Sequence, residues 1–501
     1  MLSWPNLLVG LYAIVLSTLC LYGLHRYWIL YLYLRHGRRS VWKRPAPAGS
    51  EWPRVTVQLP VFNERYVLRR LVECVCALDY PRERLQIQIL DDSTDDTQAL
   101  ARELVEAASA RGVPIHHIHR GKRTGYKAGA LAAGLAQASG ELIAVFDADF
   151  LPAPHFLKLT VPYFRDPSVG MVQARWGHLN ADYSLLTRLQ SIFLDGHFLI
   201  EHTARNRSGA FFNFNGTAGL WRRRAIEDSG GWQADTLTED LDLSYRAQMA
   251  GWRFVFLPDV VCPGELPVEV HSFRSQQYRW AKGSLQVARK ILPRLLAGSF
   301  SWKVKLEACA HLTANLGYVF VVFLSLLFLP SMAARLLVDW PGLWMLELAA
   351  FLLTVASIGS FYAIALKDAY PDWIQRCRNL PLLMAFGMGM CVNNARAALH
   401  ALAGVPSGFE RTAKFNILKP GEAWKDRLYR NVGFSYKAAE LGLLLYMGVT
   451  FLYAIETGHW ASLPFISFYL VGLGYMGLLS LEHRFGGWFG WKGFGEARSP
   501  T

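Results

Sequence analysis

The stretch LQIQILDDSTDDTQALARELVEAASARG, Leu85–Gly112, decides how this chain folds. It opens with a short run rich in Ile and Leu, breaks into four aspartates, and resumes with apolar residues at helical spacing. A strand that ends in carboxylates and hands over to an amphipathic helix is one unit of an alternating α/β domain. Working outward, RVTVQLPVF (54–62), ELIAVFDAD (141–149) and GMVQARW (170–176) read as further strands, and ERYVLRRLVECVCAL (64–78) as a helix. Strand–helix–strand alternation predicts a mainly parallel, covered sheet. Ligands of open α/β sheets sit beyond the carboxyl ends of the strands. The aspartates after Leu90 and after Phe146 are therefore expected to face one crevice.

The bulk numbers place this domain beside a membrane. Of 501 residues, 52% are hydrophobic and only 18% charged, against about 25% charged in an average soluble domain. The net charge of +13 suits an anionic membrane face or a phosphorylated substrate. Zinc-finger spacing and a Lys-rich tail are absent, which argues against nucleic acid. Seven scattered cysteines do not form a disulfide framework, so reduced thiols and a cytosolic soluble part are expected.

Residues 1–34 hold an apolar stretch of membrane-spanning length, with no positive leader and no small-residue cleavage site. The basic run RHGRRSVWKR after it predicts an outside N-terminus and a cytosolic soluble region over 35–282. Residues 283–310 mix cations with apolar residues and are expected to lie on the membrane surface as one or two helices. Two spans follow within 311–366 and two more within 438–482. The segment 380–404 carries VNNARAALH. The basic stretch 405–437 prefers the same side as the soluble region, so 380–404 is expected to be interfacial or re-entrant. Five spans then leave the tail 483–501 in the cytosol, too short for an added cyclic-dinucleotide-binding domain. GLGYMG (472–477) satisfies a dinucleotide-binding spacing but lies inside an apolar span, where helix packing accounts for it. NRS (206) and NGT (215) fit the glycosylation pattern, which a cytosolic domain does not use.

Three acidic groups carry the chemistry: DDSTDDT (91–97), DAD (147–149) and TED (238–240). Asp-x-Asp at a strand end can hold Mg2+ or Mn2+ through carboxylates, waters and substrate phosphates. Such an ion neutralises charge building on a diphosphate leaving group. A separate carboxylate, Asp240, can take the proton of an attacking hydroxyl. Acidic residues after strands also serve as turn formers and helix caps; three such groups in this order in one domain favour chemistry. QQYRW (276–280) adds Gln276, Arg279 and Trp280 at i, i+3, i+4, hence one helical face. A planar guanidinium suits phosphate and an indole face suits a sugar ring.

The ordered set LPVFNE (59–64), LDDSTDDT (90–97), GYKAGAL (125–131), FDADF (146–150), TED and QQYRW resembles the processive family-2 glycosyltransferases, the cellulose, hyaluronan, chitin and mannan synthases. The resemblance is close over about residues 50–300, and the long motifs look most like the mannan and glucomannan synthase (cellulose-synthase-like A) branch. It implies a GT-A catalytic domain inserted between membrane helices. It also implies an inverting polymerase that makes a β-linked glucan, mannan or glucomannan from UDP-glucose or GDP-mannose and passes it through the membrane. The implied partners are the nucleotide-sugar donor, the growing β-glycan and membrane lipid. Carried over residue by residue, Asn63, Glu64, Asp91, Asp92 and Lys127 would meet the nucleotide, and Asp147 and Asp149 the metal and diphosphate. Asp240 would be the general base beside Thr238 and Glu239. Gln276, Arg279 and Trp280 would hold donor diphosphate and acceptor sugar, with Asn215, Gly216 and Thr217 on the acceptor side. FERTAK (409–414) resembles the family's gating loop, Phe-x-Val-Thr-x-Lys, with Arg411 in place of Val; Thr412 and Lys414 would reach phosphate. The alternatives are transfer of one sugar to a lipid, as ceramide glucosyltransferases do, and a nucleotide-binding scaffold or transporter.

Overall fold

The computed structural model describes residues 3–37, 52–424, 427–429 and 437–485. Most of the tail 483–501, most of the basic run 35–44 and part of the basic segment 405–437 lie outside these residues.

Seven strands form one sheet: β1 (Val55–Val61), β2 (Leu85–Asp91), β3 (Ile115–His119), β4 (Leu142–Val145), β5 (Val169–His178), β6 (Gly219–Arg222) and β7 (Arg253–Gly264). Their spatial order is β3-β2-β1-β4-β6-β5-β7. Strands β1, β2, β3 and β4 run parallel, as do β5 and β7, while β6 is antiparallel to both of its neighbours. The mainly parallel sheet expected from the alternation is what forms.

β1 and β2 are buried on both faces, which is why they read as near-continuous apolar runs. Val55, Val57, Leu59 and Val61 point into one layer with the helices Arg65–Cys76 and Thr97–Ser109. Each such buried side chain contributes roughly 1.5–3 kcal/mol. The polar alternates pair across the ladder: Thr56 Oγ1 donates to Gln86 at 2.8 Å and Gln58 Nε2 to Gln88 at 3.1 Å. β3 (IHHIH) and the four-residue β6 escape a reading by hydrophobic run, because three of the five residues of one are histidine and the other is shorter than the pattern needs.

Among the described residues, five helices are long and apolar enough to cross a membrane: Trp4–His36, Trp302–Arg335, Leu343–Ala369, Ala438–Glu456 and Trp460–His483. Residues 283–310 hold parts of two helices. Val270–Ala297 is one helix that crosses the expected boundary at 282, because Glu269 caps it by accepting the backbone N–H groups of His271 and Ser272. The next helix starts at Trp302 and continues into the second apolar span. Residues 380–404 hold two short helices, Leu380–Gly389 and Cys391–Leu402. The first packs on the final apolar helix and the second on Val270–Ala297. At the first contact a Cβ on Gly472 would stand 1.9 Å from the Ala385 carbonyl oxygen, so the GLGYMG glycines include one that allows two helix backbones to touch.

Candidate active site

The carboxyl ends of the central strands open into a cleft. β4 delivers Asp147 and Asp149, the start of the Glu239–Met249 helix delivers Glu239 and Asp240, and the Val270–Ala297 helix roofs it with Gln276, Arg279 and Trp280. Glu64, Asp92, Lys127, Asn215, Gly216, Thr238, Thr412 and Lys414 also line it. Residues more than 300 positions apart in sequence thus converge on one volume.

Three expected residues lie outside that lining. Asp91 is fully buried at the end of β2, turned onto His117 Nε2 at 2.9 Å and the Ser93 backbone N–H at 2.8 Å. Burial alone would raise its pKa, but these hydrogen bonds outweigh it and hold the carboxyl below its ordinary value. Asn63, at φ 54°, closes the loop over β1 by accepting the Thr94 backbone N–H at 2.9 Å. Thr217 is fully buried and its Oγ1 accepts the Asp147 backbone N–H at 2.8 Å. Asp92 does reach the cleft, clamped by Arg120 through Nε and Nη2 at 2.7 and 2.5 Å.

At the floor, opposite charges pair closely. Lys127 Nζ stands 2.5 Å from Asp147 and donates to the Gly216 carbonyl at 2.9 Å. Lys414 Nζ stands 2.5 Å from Asp149 and 3.3 Å from Glu64. Burial would lower the Lys127 pKa, but Asp147 and Glu239 raise it overall. Burial is the larger influence on Asp149 and, despite Lys414, pushes it up to about 6. Two ammonium groups thus neutralise the two DAD carboxylates. The donor set is all oxygen at a strand end, which fits one hard divalent ion such as Mg2+ or Mn2+. Asp91, His117 and His119 form a second group with ligand atoms within 4.8 Å of one another; in this structure those atoms are engaged with each other.

Asp240 sits at the second position of its helix. Its Oδ1 accepts the Leu241 backbone N–H at 2.8 Å, which leaves Oδ2 toward Gly216. A side chain at Gly216 would put Cβ 3.0 Å from that oxygen, in a left-handed backbone conformation (φ 82°) that favours glycine. Burial, then the charge of Glu239, pushes Asp240 up to about 7, the range of a working base.

The FERTAK segment closes the cleft. Thr412 Oγ1 accepts from Arg279 Nη2 at 2.9 Å, and Arg279 also donates to the Glu410 carbonyl. The Phe409 ring lies 4.7 Å from the Arg279 guanidinium and 5.7 Å from the Tyr126 ring. Arg411 meets Glu64 at 3.6 Å, so the residue that departs from the motif shares with Lys414 a carboxylate of the cleft. Glu265 anchors the segment by accepting the backbone N–H groups of Phe415 and Asn416 at 3.0 and 3.1 Å, while Arg70 pairs with it at 2.7 Å. Sequence reading missed Glu265 and also Arg123, which lies 3.5 Å from the Phe62 ring on the cleft wall. The only local signal for Arg123 is its place two residues before GYKAGAL.

Comparison with known proteins agrees with this geometry. Residues 53–283 match the family model described as glycosyltransferase like family 2. The chain is 33% identical over 460 residues to a probable glucomannan 4-beta-mannosyltransferase 9 of Oryza sativa subsp. japonica, spanning 87% of this chain and 84% of that protein. It is 43% identical over 256 residues to glucomannan 4-beta-mannosyltransferase 2 of Arabidopsis thaliana, spanning 50% and 47% respectively. In fold it is similar to a mannosyltransferase of Pyrobaculum calidifontis solved with GDP-mannose and Mn2+, at a TM-score of 0.55 and 24% identity over 79% of this chain and all of that one.

Proposed function

We propose that this chain, which belongs to glycosyltransferase family 2 together with the plant glucomannan 4-beta-mannosyltransferases, polymerises a β-linked mannan or glucomannan from GDP-mannose and passes the product through its own membrane helices. The observation that carries the reading is the convergence of the DAD carboxylates, Asp240 and the QQYRW face on one cleft beside apolar helices.

In this reading the donor diphosphate lies between Asp147, Asp149 and Arg279, with Glu64 and Asp92 on the nucleotide side. Asp147 and Asp149 would hold Mg2+ or Mn2+, whose charge stabilises the leaving diphosphate. Lys414 yields Asp149 as the donor enters and turns with Thr412 to phosphate oxygens. The acceptor sugar stacks on Trp280 near Asn215 and Gly216. Asp240 Oδ2 then removes the proton of the attacking hydroxyl, and direct displacement inverts the anomeric carbon. The soluble domain and the C-terminus face the cytosol and the N-terminus lies outside.

The test incubates purified, detergent-solubilised protein with a panel of radiolabelled nucleotide sugars, measuring nucleotide release and product size. Long, β-mannanase-sensitive chains from GDP-mannose are expected. A product confined to a monosaccharide on lipid would overturn the polymerase reading.

A further inference from the structure

The helix from Leu185 to Ser208 contains a π-helical insert, Gly196–His202. Its i→i+5 winding stacks residues that an α-helix would point apart. His197 and His202 are five apart, and their ring centroids lie 4.3 Å from each other. Between them sits the side chain of Asn215. Asn215 Oδ1 is 2.6 Å from His202 Nε2, and Asn215 Nδ2 is 3.0 Å from His197 Nε2.

The surroundings dictate which atom donates. His202 is fully buried among Phe198, Phe212 and Phe256, and its Nδ1 has no hydrogen-bond partner among the described residues. A proton on Nδ1 would be stranded in an apolar cage. The ring is therefore neutral with its hydrogen on Nε2, which donates to Asn215 Oδ1 and lies 3.1 Å from the Asn213 carbonyl. His197 has the opposite tautomer. Its Nδ1 faces Glu201 at 3.0 Å, a carboxylate that Arg205 keeps company at 3.1 Å, so Nδ1 carries the hydrogen and Nε2 accepts from Asn215 Nδ2. Reversing the Asn215 amide would break both bonds. One Nδ2 hydrogen remains without a partner among the described residues, on a side chain that lines the cleft. Arg205 continues to Glu307 at 2.9 Å and Glu307 to His25 of the first apolar helix at 3.0 Å, so the clamp is tied to the membrane layer.

We propose that His197 and His202 are positioning residues that lock the Asn215 amide with its free N–H toward the acceptor sugar, where it donates to a sugar oxygen. This rests on the reading of Asn215 as acceptor-side.

The test measures mannosyl transfer from labelled GDP-mannose to β-mannotetraose by the solubilised full chain, with GDP-mannose binding measured separately. His202→Phe, which fills the aromatic cage without a donor, is expected to raise the acceptor KM at least tenfold and leave GDP-mannose binding within twofold. His202→Gln, which offers an N–H near the Nε2 position, is expected to recover most of the loss. Asn215→Ala should show the same acceptor defect, and adding His202→Phe to it should change nothing further. If His202→Phe does not fold, the partly exposed His197 takes its place, with Leu breaking and Gln restoring the contact. An unchanged acceptor KM, equal weakening of donor binding, or additive effects with Asn215→Ala would overturn the proposal. Failure of the functional reading is distinct: the wild-type chain itself would then transfer no mannose.

Discussion

Asp240 carries the clearest single-residue consequences. Its carboxyl is pushed up to about 7 by burial and by Glu239, and a base works only when deprotonated. Transfer should therefore rise with pH through about 7 and fall about tenfold per unit well below it, as read from a kcat profile. On the proposed role, Asp240→Asn keeps the shape and removes the base. It should lower kcat by roughly 10²–10⁴-fold while calorimetric binding of GDP-mannose persists; a fully active variant would end the assignment. The DAD pair makes a different demand. Chelation with EDTA should abolish transfer, added Mn2+ or Mg2+ should restore it, and Asp149→Asn should raise the metal concentration needed for half-activity.

At the scale of the element, two contacts stand out. The segment after FERTAK is held because Glu265 collects backbone N–H groups and Arg70 in a buried spot. Charge-assisted hydrogen bonds contribute about 1.5–3 kcal/mol, and 1.4 kcal/mol is a factor of ten. Glu265→Ala should accordingly raise the KM for GDP-mannose about tenfold and speed limited proteolysis near residues 405–420. The second contact is Gly472 against Ala385 and Gly389. Overpacking such a seam costs typically 1–3 kcal/mol, so Gly472→Val should lower the melting temperature of the solubilised protein, with its activity per folded molecule retained. The same contact accounts for Gly472 of the dinucleotide-like pattern, whereas Gly474 and Gly477 have no atom within 4 Å of a Cβ position.

The whole molecule joins a sugar-transfer cleft to a bundle of apolar helices, and its orientation has a direct readout. Asp339 lies between the Gly317–Arg335 and Leu343–Ala369 helices. In a cysteine-free background, Asp339→Cys should react with a membrane-impermeant maleimide from outside intact cells, whereas Ser109→Cys in the soluble domain should react only after lysis. The reverse pattern would invert the topology. All seven cysteines are free thiols.

Local pattern and composition determined the α/β alternation, the count of five apolar helices and the residues of the DAD, TED and QQYRW groups. Each of these is written in side chains near one another along the chain, so period and spacing suffice to read it. Pairings between distant segments carry no such trace, and only the tertiary structure decided them. It buried Asp91 against His117, put Lys414 on Asp149, and called Glu265 to a loop about 150 residues away. It also wound one π-helical turn so that two histidines meet across Asn215. β3 and β6 belong to the same class: a histidine-rich strand and a four-residue strand are stabilised by their neighbours in the sheet, because their own sequences supply too little apolar surface to declare them.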